Sequence, residues 1–168
     1  NANKGASERM QNRKKKYVEA GAIALCMSGK KYLGKIVSSS MNFFTENGYH
    51  ILEVLTKFND SYDGGGDYRE DLLAACSVLP QEDYEYLQKV IDNIKIGDPE
   101  IFWEHLKIQA ALFILEDKHR EYMLELELLE GDKSKVYDEK AREINIKLAS
   151  ITKDRNKLIA IAKGYINN

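Results

Sequence analysis

A chain of 168 residues has room for one domain with a full core. Two prolines and the near absence of alternating apolar and polar residues exclude a sheet-built fold. Charged residues reach 31% but cancel to a net −2, so overall charge selects neither nucleic acid nor an acidic substrate.

The charge is nevertheless distributed in blocks. Through Phe58 there are ten Lys/Arg against four Asp/Glu, a net +6. From Asn59 to Asp132 six basic residues face nineteen acidic ones, a net −13, and from Lys133 onward nine against four give +5. The acidic middle is expected to face the basic ends and help order the helices. The 19 Lys against 6 Arg, with abundant Ile and Asn, suggest an AT-rich bacterial or viral genome.

In chain order, residues 1–9 read as a polar tail, with Asn1-Ala2 as an expression remnant. Ser7-Glu8 offers a helix start. Val18, Ala22, Leu25, Gly29, Tyr32, Ile36, Ser39 and Phe43 then advance by four and three, which predicts one helix of roughly 35–40 residues, about 55 Å long. Ala22, Gly29 and Ser39 would let a neighbour approach closely, and a bend is expected near Ser28–Gly34. Basic Arg13–Lys16 before apolar Ala20–Met27 imitates a secretion signal, but Glu19 interrupts the apolar part and Leu25 stands where a lipoprotein site wants a small residue. An amphipathic helix with a basic start is the better reading.

Asn47-Gly48 marks a stop or a slip, after which Ile51, Leu55, Phe58 and Tyr62 resume a helical face. Asp63-Gly64-Gly65-Gly66-Asp67 is an exposed loop, with Asp67 capping a helix that carries Leu72, Cys76 and Leu79. Pro80 with Glu82 and Asp83 opens the next, whose face is Tyr84, Leu87, Val90, Ile91 and Ile94 and which ends at Gly97. Asp98-Pro99-Glu100 starts a long helix by cap, proline and acid.

That helix carries Ile101, His105, Ile108, Leu112, Leu115, His119, Tyr122, Leu126 and Leu129 in an unbroken four-three alternation. A second run, Tyr137, Ala141, Ile144, Leu148, Ile151, Arg155, Leu158, Ala162 and Tyr165, matches it. Folding at about Lys133, near Gly131, pairs Leu129 with Tyr137, Tyr122 with Ile144, Leu115 with Ile151, Ile108 with Leu158 and Ile101 with Tyr165. The expected architecture is one all-α domain over residues 1–168, a bundle of about six helices built on this antiparallel hairpin and the N-terminal helix.

Chemistry-bearing constellations are few. Glu116 and His119 stand one turn apart as one Glu-x-x-His unit, where a di-iron bundle needs two such units and two more glutamates. His50 and Glu53 offer a reversed pair. His105 lies fourteen residues, about 21 Å, before His119, so the two cannot share an ion. No metal site and no cofactor are expected; Glu116 and His119 are the weak metal candidates, and His105 and His119 read as register-setting polar positions in an apolar seam. The loop Asp60–Asp71 matches a calcium loop only at Asp60, Gly65 and Asp71, with Tyr62 and Gly64 where oxygen ligands belong. Cys26 and Cys76 lack metal or redox spacing and read as buried thiols, their pairing left open. No catalytic triad or phosphate loop can be placed.

Arg155 is the sharpest inconsistency: a long cation in an otherwise apolar or aromatic stripe. A buried guanidinium demands a carboxylate, and Glu116 lies level with it in the folded register. The expectation is an Arg155–Glu116 pair that fixes register; if Arg155 instead lies on an open edge, it meets a partner's acid.

Every strong signal is thus a packing signal. The expected function is a non-enzymatic helical protein-interaction module whose partner is another protein, with no nucleic acid and no membrane span. Alternatives are a secreted or surface-exposed bundle binding a host protein and a small helical metal protein or enzyme. Compartment is left open, a cytoplasmic chain being preferred to an exported one, and oligomeric state is not set.

Overall fold

The computed structural model describes the backbone of residues 2–39, 41, 43, 45–129 and 135–167, with side chains undescribed at 2–4, 6–7, 135–137 and 165–167. The protein is an all-α helical bundle, with seven helices among the described residues: α1 Ala2–Cys26, α2 Lys30–Ser38, α3 Glu46–Ser61, α4 Tyr68–Cys76, α5 Gln81–Asn93, α6 Pro99–Leu129 and α7 Lys135–Asn167. They form two compact units, residues 1–110 and 111–168. No helix among the described residues is long and apolar enough to cross a membrane.

The first correction concerns the N-terminal run. α1 begins at Ala2, ahead of the expected Ser7 start, and the single long helix is two. Gly29 separates them at φ 154° and ψ 162°, a conformation essentially restricted to glycine. The break lies within the expected bend. Close approach, however, occurs elsewhere. A Cβ on Gly29 would meet nothing within 4 Å, whereas one on Gly21 would stand 3.2 Å from Leu106 Cδ1 and 3.3 Å from the Phe102 ring. It is Gly21 that lets the start of α6 lie against α1.

In the first unit α3 is central, packing on α2, α4 and α5, while α1 packs on α2 and α5. Its Ile51 and Leu55 are fully buried, as are Leu33, Leu72 and Leu87 around it. Burial of each such side chain contributes about 1.5–3 kcal/mol relative to exposure. Both ends of α3 are satisfied locally. Thr45 caps the start by accepting from Gly48 N–H at 2.9 Å. Lys30 Nζ donates to the terminal carbonyls of Asn59 (3.3 Å) and Tyr62 (2.9 Å), a cation at the negative end of the helix. Phe58, Tyr62 and Tyr68 then cluster with ring centroids 5.1–5.9 Å apart, tying α3 to α4.

Asp67 caps α4 through Glu70 N–H at 3.0 Å, and the loop Asp63–Asp67 is exposed, as the sequence predicts. Asp98 Oδ1 accepts from Glu100 N–H at 2.9 Å and Pro99 opens α6, also as predicted. α5 ends at Asn93, short of the expected Gly97.

In the second unit, α7 buries Ile144, Ile151 and Ala162 along one face. Lys147 Nζ lies over the Tyr122 ring at 5.3 Å, which sets α7 beside α6 close to the expected Tyr122–Ile144 level. The expected fold-back at about Lys133 and the side chains of Tyr137 and Tyr165 lie outside the described residues.

Candidate functional site

The polar chemistry of the first unit converges on the start of α3. Glu19, in the apolar run of α1, is fully buried. Its carboxyl accepts from Thr45 N–H at 3.1 Å and from the Thr45 hydroxyl. A Cβ on Gly48 would overlap this carboxyl, so only glycine fits there. One turn on, Asp83 of α5 is 3% exposed and accepts from Asn47 Nδ2 at 2.6 Å and pairs with His50 Nδ1 at 2.7 Å. Two carboxyls, from α1 and α5, thus grip the first two turns of α3 at its positive end, where a carboxylate is best stabilised.

Tyr86 of α5 completes the junction. Burial, and next the neighbouring Glu19, pushes its phenol up to about 12. Lys16 of α1 lies over its ring at 5.8 Å. The arrangement can orient an imidazole: Asp83 holds Nδ1 of a His50 side chain that is 43% exposed, leaving Nε2 outside that contact. Within the chain the two carboxyls act as a structural clamp on the start of α3.

Sequence reasoning missed this site. Glu19 was visible as a charge inside an apolar face, and Asp83 as an acid in a helix's first turn. Neither signal alone names a partner, because Thr45 is 26 and His50 33 residues away from its carboxyl.

The residues singled out from the sequence are placed otherwise. Arg155 is exposed although it shares the α7 face of Ile144 and Ile151, and among the described residues it forms no ion pair with the half-buried Glu116. The premise of a buried guanidinium therefore fails: the seam is open at this level, and the cation remains in water. His119 is exposed, and His105 is half-buried with Gln109 of its own helix at 3.4 Å. Among the described residues no three His, Cys, Asp or Glu are placed to hold a metal.

In the calcium-like loop, Asp63 accepts from Gly65 N–H at 2.9 Å and Asp67 is occupied as a cap. Cys26 and Cys76 are buried free thiols. Burial pushes Cys76 up to about 11 and Cys26 higher still, so both are held protonated and unreactive. A cleft of about 230 Å³ lies among Met27, Arg69, Ile91 and Ile94, with Lys95 on its rim donating to the Ile91 carbonyl at 3.4 Å. That bond gives Lys95 a capping role at the end of α5.

No family model, curated protein or solved structure matches this chain.

Proposed function

We propose that the chain is a non-enzymatic helical module that binds another protein through α7. The observation that carries this reading is Arg155: an exposed guanidinium on the helix face of Ile144 and Ile151, without an ion partner among the described residues. Arginine is enriched at interface centres, where a desolvated carboxylate on the partner finds a rigid two-pronged donor. Ile146 and Ile161, 64% and 50% exposed, lie elsewhere round α7, about 180° and 120° from Arg155, so the surface of this reading is the polar neighbourhood of Arg155 itself. An exported form meeting a host protein would use the same surface.

The test is a photo-crosslinking residue at Thr152, one turn from Arg155, introduced in native cells. A discrete protein adduct is expected, and Arg155→Glu in the same chain should abolish it while leaving the melting temperature unchanged. An adduct indifferent to Arg155→Glu, or no adduct at all, overturns the reading.

A further inference from the structure

The cations of α1 and α2 are used differently. In α2, Lys30 binds two carbonyls, Lys31 pairs with Glu100, and Lys35 lies over the Trp103 ring at 5.8 Å. In α1, Arg9, Arg13 and Lys14 are exposed and have no ion pair among the described residues. Arg9 and Arg13 stand four apart on the helix, a like-charge spacing that weakens it. Among the described residues no carboxylate pairs with these charges, and all three face solvent.

Two further side chains share that surface. Met10 is 60% exposed and Tyr17 69% exposed. At 100° per residue Arg9, Met10, Arg13, Lys14 and Tyr17 fall within a sector of about 140°, on the side of α1 away from buried Gln11, Val18 and Ala22. Met10 and Tyr17 lie two turns apart and bracket Arg13 and Lys14.

We propose that this face of α1 docks on an anionic phospholipid bilayer, lying in the interface without crossing it. Cations alone would suit any polyanion. The apolar pair between them decides for lipid: a methionine and a tyrosine standing out of a cationic face enter the boundary between headgroups and acyl chains, while arginine and lysine stems lie along it and return their charges to the phosphates. A nucleic-acid backbone offers the methionine nothing. The residues used are different from those of the Arg155 reading, so either reading can fail alone.

The experiment is co-sedimentation of the full chain with phosphatidylcholine vesicles, with and without phosphatidylglycerol, at low and high salt. At about fivefold per cation near a charged surface, binding to the anionic vesicles should exceed that to neutral ones on the order of 100-fold, and high salt should remove the difference. Arg13→Gln with Lys14→Gln should weaken binding about 25-fold, and Arg13→Glu with Lys14→Glu further. Met10→Ser with Tyr17→Ser should weaken it roughly tenfold at unchanged charge. All these positions are exposed, and circular dichroism checks that each variant keeps its helices. The proposal is overturned if anionic vesicles do not bind the chain at low salt, or if either variant pair leaves binding intact. It is overturned equally if single-stranded or duplex DNA binds this face more tightly than the vesicles do.

Discussion

Gly48→Ala tests the α1–α3 clamp. On an ordinary helix the change should stabilise by about 1 kcal/mol, since alanine is the better helix former. Here the added methyl overlaps the Glu19 carboxyl, which is fully buried and bonded to Thr45. Displacing it breaks two hydrogen bonds and leaves a buried acceptor unsatisfied, a loss of about 3 kcal/mol. The net expectation is a destabilisation of about 2 kcal/mol, which in a chain of this size lowers the melting temperature by roughly 4–8 °C. Urea unfolding of four chains measures it: wild type, Gly48→Ala, Glu19→Ala and the double variant. In the Glu19→Ala background the carboxyl overlap is gone and only Thr45 Oγ1, 3.0 Å from the added methyl, must give way, so Gly48→Ala should change sign and stabilise by up to about 1 kcal/mol. A Gly48→Ala that is neutral or stabilising in the wild-type background would refute the clamp.

Arg155→Met is expected to alter stability by less than about 0.5 kcal/mol, because the side chain is exposed; a loss near 3 kcal/mol in urea unfolding would restore a buried pair. Glu100 is held below the usual carboxylate range by its bond to Lys31 first and to Tyr32 second. A depressed carboxyl contributes stability above its unfolded pKa and loses it as pH falls through the folded value, so wild type and Glu100→Gln should converge on acidification. Both partners are well exposed, so the gap will be small, and a gap that widens toward acid refutes the assignment. With burial holding both thiols protonated, Cys26 and Cys76 should resist a thiol reagent at pH 8 and react together in urea; fast reaction in the native chain would show an open core. Read as one domain, residues 1–168 are expected to unfold in a single calorimetric transition, and two resolved transitions would divide the chain instead.

What could be read from the residues alone was whatever depends on near neighbours. The all-α class, the caps at Asp67 and Asp98, the proline start at Pro99, the exposed glycine loop and the buried Ile51–Leu55 face all follow from groups within about four positions of each other. The position of the break in the N-terminal run was legible only as a region, because Gly29 and Gly34 are equally permissive and the chain turns at the first. Arg155 shows the limit in another way. Periodicity assigned it to a seam, but whether a seam position is covered depends on the opposing surface, and here it is open. The clamp lay wholly beyond local reasoning. Glu19, Gly48 and Asp83 each look like a local blemish: an acid in an apolar run, a glycine in a helix, an acid in a first turn. Only the packing of α1, α3 and α5 makes one carboxyl a cap for Thr45, the other a partner for His50, and glycine the residue that fits between helices.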